Sequence, residues 1–98
     1  MPRTLTVSRA AVDPTAEREY LEAVRELAGL SDESGRRLWV FRAASGPGRF
    51  LECSESGSSE EHRVRARLGP DEARLERRIR ELATYEDGAW ELWEEVRF

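Results

Sequence analysis

The sequence predicts one α+β domain in which two helices pack on the same face of a four-stranded antiparallel sheet. Apolar residues recur with a strand period in four segments of the chain and with a helical period in two. These segments follow one another in the order strand, helix, strand, strand, helix, strand. The chain has 98 residues, a length typical of a single domain, so we treat residues 1–98 as one folding unit.

The first strand and the first helix are bounded by recognisable signals. Apolar and polar residues alternate over residues 4–12, as in a strand with two different faces. Asp13 suits the N-cap of a helix, and Pro14 suits its first position, because proline lacks the N–H that would be unsatisfied there. Apolar residues then follow helical spacing over residues 16–30, and glycine and serine residues within 29–35 are expected to end the helix.

A hairpin is predicted next, with strands over residues 37–43 and 49–55 and the turn Ser45-Gly46-Pro47-Gly48 between them. The run Leu38-Trp39-Val40-Phe41 indicates a strand that is buried on both faces, because successive side chains lie on opposite sides of a sheet. Two helices can cover only one of those faces, so the other face needs a further partner.

The two faces of the hairpin are predicted to differ in chemistry. Its aliphatic and small apolar side chains are expected to face the helices: Leu38, Val40, Leu51 and Cys53. Its large aromatic side chains are then expected on the open face: Trp39, Phe41 and Phe50. The reverse assignment would also leave apolar residues on both faces. Since burying a large apolar side chain contributes roughly 1.5–3 kcal/mol, we expect a second copy of the chain to cover the open face in a homodimer.

Residues 60–68 fit two patterns. Their apolar residues alternate as in a strand, whereas Ser58 and Glu61 form a capping box that favours a helix. We predict a short helix here and keep the strand as the alternative.

The second main helix is predicted to begin at Gly69-Pro70 and to end at Asp87-Gly88. Its buried stripe is expected to contain Leu75, Ile79, Leu82 and Ala83. Residues 89–98 alternate and predict the last strand, although Trp90 and Trp93 would also share one face of a helix. The complete order, βαββαβ, is that of a ferredoxin-like domain.

This element order and a loose motif resemble the antibiotic biosynthesis monooxygenase-like (ABM-like) dimeric α/β barrels. The motif comprises Leu38-Trp39-Val40-Phe41, the turn Pro47-Gly48, the segment Arg49-Phe50-Leu51-Glu52, and His62. The resemblance implies a pair of ferredoxin-like protomers with a cavity between sheets and helices. It also implies activities such as cofactor-independent oxidation of aromatic polyketides or haem degradation. The chain has no asparagine, so the Asn, Trp and His set of the haem-degrading members cannot be carried over.

The predicted cavity residues are Trp39, Phe41, Phe50, Glu52 and His62. Glu52 shares a strand face with Phe50, so burial would raise the pKa of its carboxyl group and make it a candidate acid or base. A carboxylate paired with an arginine, or one at the mouth of the barrel, is the more common arrangement. His62 is the only histidine and lies among charged residues, which is typical of a solvated surface side chain.

Composition narrows the classes of function. The net charge of -4 argues against nucleic acid and anionic membranes as partners. One cysteine and one histidine make a structural zinc site within one chain improbable, and we expect neither a metal nor a cofactor. No apolar run is long enough to span a membrane, so the cytoplasm is the expected location. All 16 basic residues are arginine, which indicates a GC-rich bacterial genome.

These observations favour a small bacterial homodimer that is non-catalytic or that binds a small apolar or aromatic ligand. Two alternatives stay open: a cofactor-independent monooxygenase that acts on an aromatic substrate, and a regulatory module that binds amino acids. The sequence contains no patterned nucleophile and base pair and no phosphate-binding loop, so it favours a protein without catalytic activity over an enzyme.

Overall fold

The computed structural model describes residues 3–33, 35–56 and 69–98. Its helices and strands are, in chain order, β1 Thr4–Val12, a 3-10 turn Pro14–Ala16, α1 Glu17–Glu33, β2 Arg37–Arg42, β3 Arg49–Ser56, α2 Pro70–Leu82, β4 Ala83–Tyr85 and β5 Leu92–Glu94. The short helix predicted over residues 60–68, which includes His62, lies outside the described residues.

All strand pairings in the sheet are antiparallel, and the strands lie in the order β2-β3-β1-β4. The fifth strand, β5, pairs with residues 4–6 of β1, whereas β4 pairs with residues 10–12. Because β3 occupies the other edge of β1, the two short strands share one edge. Of the two, only β5 lies within the predicted last strand, residues 89–98, whereas β4 lies within the segment predicted as the second helix. The α+β ferredoxin-like prediction is confirmed, with five strands in the sheet.

The first helix begins as the sequence predicts and ends at Glu33, inside the predicted segment 29–35 but past Gly29. The Asp13 carboxylate accepts hydrogen bonds from the backbone N–H and the hydroxyl of Thr15, at 2.9 and 2.7 Å. The helix then continues through Gly29 to Glu33. A glycine within a helix costs only about 1 kcal/mol relative to alanine, which is too little to end a helix whose apolar stripe packs on the sheet.

The second helix ends at Leu82, well before the predicted end at Asp87-Gly88. Ala83 has extended backbone angles, φ −121° and ψ 144°, and pairs with Val12 of β1. The edge of β1 would otherwise leave backbone N–H and C=O groups without partners. Pairing of β4 with that edge therefore overrides the helical pattern of the sequence.

The core lies between the two helices and one face of the sheet, which we call the helix face. It contains Ala10, Val12, Tyr20, Ala23, Val24, Leu27, Phe50, Leu75, Ile79 and Ala83. Phe50 is only 4% exposed, and its ring centroid lies 4.9 Å from that of Tyr20. The prediction that Phe50 lies on the open face is therefore wrong.

The strand register explains this correction. Val40 pairs with Glu52, and Arg42 pairs with Phe50. Directly paired residues of an antiparallel sheet share a face, so these four residues all lie on the helix face. The aliphatic residues of β2 pack against the core as predicted, and its two aromatic residues lie on the open face. In β3, by contrast, Leu51 and Cys53 lie on the open face and not against the helices.

Candidate functional site

A carboxylate lies on the helix face of the sheet, held by two tyrosines. The Tyr20 hydroxyl, from α1, donates a hydrogen bond of 2.6 Å to Oε2 of Glu52. The Tyr85 hydroxyl, from β4, donates a bond of 2.8 Å to the same oxygen. Among the described residues, no hydrogen bond reaches the other oxygen, Oε1. As far as the described residues show, Glu52 therefore keeps Oε1 available as an acceptor.

The surroundings of Glu52 make its carboxylate more basic than usual. Burial raises the pKa of Glu52 above its ordinary value, and the nearby Glu76 carboxylate raises it further. The two tyrosine hydrogen bonds and the Arg80 guanidinium act in the opposite direction, but burial outweighs them. Burial and the Glu52 charge also raise the pKa of Tyr20 and of Tyr85. Both tyrosines are therefore protonated donors at neutral pH.

Glu52 lies at the wall of a small chamber between the helix face and the two helices. The chamber has a volume of about 40 Å³, and its described wall includes Ser8, Arg36, Ser54, Glu76 and Trp90. One water molecule needs roughly 10–15 Å³ of cavity volume measured in this way, so the chamber has room for about three waters at most. Pockets that hold organic ligands are usually larger, about 300–1,000 Å³. An aromatic ring does not fit while the wall stands as it does here.

The chamber wall is polar on the side of the sheet. Ser8 and Ser54 are both buried, and their hydroxyls act as acceptors. The Arg36 Nε–H donates to Ser54 Oγ at 2.8 Å, and the Trp90 backbone N–H donates to Ser8 Oγ at 3.1 Å. Satisfying these hydroxyls removes much of the cost of burying them.

Trp90 lines the chamber from the turn between β4 and β5. Its ring centroid lies 4.7 Å from that of Tyr85, at an interplanar angle of 50°. The Arg80 guanidinium lies 4.6 Å from the indole centroid, a cation–π contact. Trp90 is 44% exposed, so this lining residue also faces solvent.

The open face of the sheet has a different composition. Its aromatic members are Trp39, Phe41 and Trp93, and Leu51 and Cys53 lie between them. Phe41 is 56% exposed and Trp93 is 55% exposed. A groove of about 490 Å³ opens at one end of this face, and Phe41 and Leu51 are among its lining residues.

The structure divides the predicted cavity residues between the two faces. Trp39 and Phe41 lie on the open face, whereas Phe50 and Glu52 lie on the helix face. His62 lies outside the described residues. Strand alternation alone could have separated Trp39 and Phe41 from Glu52 once the hairpin register was known.

None of the residues that surround Glu52 was predicted to be a site residue. Tyr20 was predicted only as a core residue of α1, Tyr85 fell within a predicted helix, and Trp90 within a predicted strand. A polar tip on a buried aromatic residue is a general signal for a hydrogen-bond partner, and it could have suggested Tyr20. It would not have identified Glu52 as that partner, because the two residues come together only in the packed layers.

Within the described segments, no group of three or more His, Cys, Asp or Glu side chains could hold a metal ion. No helix there is long and apolar enough to cross a lipid bilayer.

Comparison with solved structures identifies the fold. A conserved protein of unknown function from Bacteroides thetaiotaomicron, described as a possible oxidoreductase, matches with a TM-score of 0.81 and 21% identity, over 96% of this chain and 98% of its own. SnoaB, a cofactor-independent oxygenase from Streptomyces nogalater, matches with a TM-score of 0.76 and 17% identity, over 100% and 95%. An antibiotic biosynthesis monooxygenase matches with a TM-score of 0.73 and 17% identity, over 100% and 99%.

The chain has the fold of the ABM-like proteins, as the sequence resemblance predicted. No protein-family model matches the sequence, and no curated protein sequence matches it. Sequence identities of 21% and below establish a shared fold only, so the activity depends on this chain's own residues.

Proposed function

We propose that the protein is a cytoplasmic bacterial homodimer of the dimeric α/β-barrel type that binds a small aromatic molecule beside Glu52. The observation that carries the ligand site is Glu52 itself. A partly buried carboxylate is costly, and this one combines two fixed tyrosine donors with a second oxygen that no described residue occupies. Such an oxygen is a ready acceptor for a ligand hydroxyl. The expected compartment follows from Cys53, the only cysteine, which is a free thiol.

The open face supports the homodimer. Phe41 and Trp93 expose more than half of their surface there, at 56% and 55%. Exposed apolar patches on small proteins usually mark interaction sites, and in a twofold dimer the same patch of each copy can cover the other. Covering the two side chains contributes about 25 cal/mol for each Å² removed from water.

Sedimentation velocity at micromolar concentration tests the homodimer, and we expect the wild-type chain to sediment as a dimer. Phe41→Glu places a charge on the apolar part of the open face and should produce a monomer. Gly29→Glu is the matched control, because it adds the same charge on exposed α1, where a new Cβ meets nothing within 4 Å. A wild-type chain that stays monomeric at these concentrations would contradict the homodimer.

Calorimetric titration with 1-naphthol and with naphthalene tests the ligand site. We expect 1-naphthol to bind the wild type more tightly than naphthalene, because only the naphthol donates to Glu52. Glu52→Gln should remove that preference. Glu55→Gln is the control from the same strand, since Glu55 lies on the open face and pairs with Arg3 at 3.3 Å. Equal affinities for the two probes in the wild type would refute recognition by Glu52.

A second function, cofactor-independent oxygenation, is favoured by the basicity of Glu52. Its raised pKa suits a carboxylate that accepts the proton of a substrate hydroxyl. The aryloxide formed in this way is electron-rich and reacts with O₂, so that one oxygen atom enters the ring and the other leaves as water. SnoaB, which shares the fold, is itself a cofactor-independent oxygenase.

Oxygen consumption during incubation with 1-naphthol separates the two functions. A catalytic protein should consume O₂ and release the quinone in equal amounts, and Glu52→Gln should lower the rate at least tenfold. A wild-type protein that binds the naphthol without consuming O₂ is a binding protein. That result would remove the oxygenase while leaving the ligand site intact.

A further inference from the structure

The turn between β4 and β5 holds Trp90 in an unusual backbone conformation. Its φ is 66°, and within the described segments it is the only residue other than glycine with a positive φ. A side chain disfavours this left-handed region because its Cβ approaches the neighbouring carbonyl oxygen. Tertiary contacts must therefore hold Trp90 in place.

Three contacts hold it, and all three involve groups around the Glu52 chamber. The Trp90 N–H donates to Ser8 Oγ, which lines the chamber. Its ring packs on Tyr85, whose hydroxyl donates to Glu52. The guanidinium of Arg80 lies over the same ring. The contacts that fix the indole are therefore also those that a flat ligand at this place would use.

Trp90 is also the most exposed of the described residues that line the chamber. The rest of the lining belongs to the helices, to the sheet and to the connection that carries Arg36. The indole belongs to a turn that has weak internal bonds, since Ala89 N to Glu86 O and Glu91 N to Gly88 O both measure 3.3 Å. This side of the chamber can therefore open without disturbing the core.

We propose that Trp90 is the gate of the Glu52 chamber and sets its specificity for phenols of one or two fused rings. Outward movement of the indole leaves a space of its own size between Tyr85, Arg80 and Glu52. A planar phenol fills that space, packs on Tyr85 and Arg80 as the indole did, and donates its hydroxyl to Glu52 Oε1. This inference rests on the proposed ligand site at Glu52.

The gate explains how a ligand that is larger than the closed chamber can bind beside Glu52. The closed chamber of about 40 Å³ has no room for a ring, whereas the volume vacated by an indole matches a bicyclic ring. Larger fused systems exceed that volume and would have to displace α2 or the sheet. The positive φ of Trp90 favours opening, because the residue can relax once the ring leaves Tyr85.

Stopped-flow mixing with 1-naphthol tests the gate. Trp90→Ala removes the obstacle, so the association rate constant should rise at least tenfold. Trp93→Ala, the control, deletes an indole on the open face and should associate like the wild type when both sediment alike. Ser8→Ala leaves the indole in place and removes only the hydrogen bond to its backbone, so association should quicken about threefold. It serves as the second variant if Trp90→Ala does not fold.

Fluorine NMR of protein labelled with 5-fluorotryptophan reports the ring directly. The chain has three tryptophans, and Trp90→Phe assigns the resonance of interest. Added 1-naphthol should shift the Trp90 resonance while those of Trp39 and Trp93 stay in place.

The outcomes separate the gate from the ligand site. Association rates that are equal in Trp90→Ala, Ser8→Ala and wild type, with binding still dependent on Glu52, would overturn the gate and leave the ligand site standing. An unshifted Trp90 resonance under saturating naphthol would do the same. Absence of naphthol binding in the wild type and in every gate variant would overturn both proposals.

Discussion

The two faces of this sheet are built from the same strands and differ in composition. On the face covered by helices, the strands place Ser8, Ser54 and Glu52 among the apolar core residues. On the uncovered face they place Trp39, Phe41 and other apolar residues. A half-covered sheet usually buries its apolar residues and exposes its polar ones. This departure is what we expect if the covered face holds the proposed ligand site and the open face is the proposed dimer interface.

Alternation along β3 decides which of its side chains face the helices and which face outward. Even-numbered residues of β3 face the helices, and odd-numbered residues face outward. A register slip of one residue would exchange the two sets and carry Glu52 to the outside. The position of the hairpin against β1 is therefore as important to the site as Glu52 itself.

The largest expected contrast between the faces comes from deleting a phenylalanine ring on each. Phe50→Ala leaves a cavity beside Tyr20 in the core and should lower the free energy of unfolding by about 3–5 kcal/mol at every protein concentration. Phe41→Ala removes a ring that is 56% exposed. The free energy of unfolding that Phe41→Ala loses should fall below about 1 kcal/mol once dilution dissociates the proposed dimer.

Urea unfolding of both variants over a range of protein concentrations measures this contrast. If Phe50→Ala and Phe41→Ala lost the same free energy of unfolding at every protein concentration, the two faces would be buried alike in one chain. The distinction between core and interface would then fail.

A smaller effect is expected where the hairpin meets β1. Gly48 has a φ of 82°, and a Cβ built on it would lie 2.7 Å from the carbonyl oxygen of Val12. The same two residues are joined by a hydrogen bond from Val12 N–H to Gly48 O, of 2.7 Å. Gly48→Ala should therefore cost about 2 kcal/mol, since the left-handed conformation alone costs 1–2 kcal/mol for a residue with a side chain.

Gly46→Ala is the control, because its new Cβ would meet nothing within 4 Å and its backbone needs no positive φ. Its effect on urea unfolding should stay within about 0.5 kcal/mol. Similar stabilities for the two alanine variants would show that the approach of Gly48 to β1 does not position the hairpin.

The smallest effect expected is electrostatic and depends on pH. The folded protein raises the pKa of Glu52 above the ordinary 4.5, so it binds that proton more tightly than the unfolded chain does. This contribution to stability is complete below the unfolded pKa and is lost as pH rises through the folded pKa. Glu52→Gln carries no charge and keeps an oxygen for the two tyrosines. Its stability relative to wild type should therefore increase as pH rises above 4.5.

Thermal unfolding of wild type and Glu52→Gln between pH 4 and pH 8 measures the difference in stability between the two proteins. Glu55→Gln on the opposite face removes an ion pair with Arg3 and is not expected to stabilise the protein. A Glu52→Gln variant that loses stability relative to wild type as pH rises would reverse the sign and show that the carboxylate is favoured in its charged form.

Local signals were sufficient for most of the elements. The bounds of β1, the cap at Asp13 and the hairpin with its glycine turn each depend on residues that are close in sequence. Their physical causes, alternation, capping and backbone freedom at glycine, act within a few residues. The fold class follows from the order of these elements.

The candidate site could be predicted only in part. Glu52 was recognised as a partly buried carboxylate on the face of Phe50, yet its face was assigned to the wrong side of the sheet. Tyr20 and Tyr85 lie 32 and 33 positions from Glu52 in the chain, so no local pattern links them. The end of α2 at Leu82 depended in the same way on an unpaired strand edge elsewhere in the molecule.

By itself, the sequence determined an α+β domain with strands and helices in the ferredoxin-like order, because periodicity and turn chemistry are properties of neighbouring residues. Only the tertiary structure decided which parity of β3 meets the helices, where α2 gives way to β4, and that two tyrosines meet on one carboxylate oxygen. Those outcomes depend on register and on contacts between distant segments, which are chosen by the packing of the whole layer.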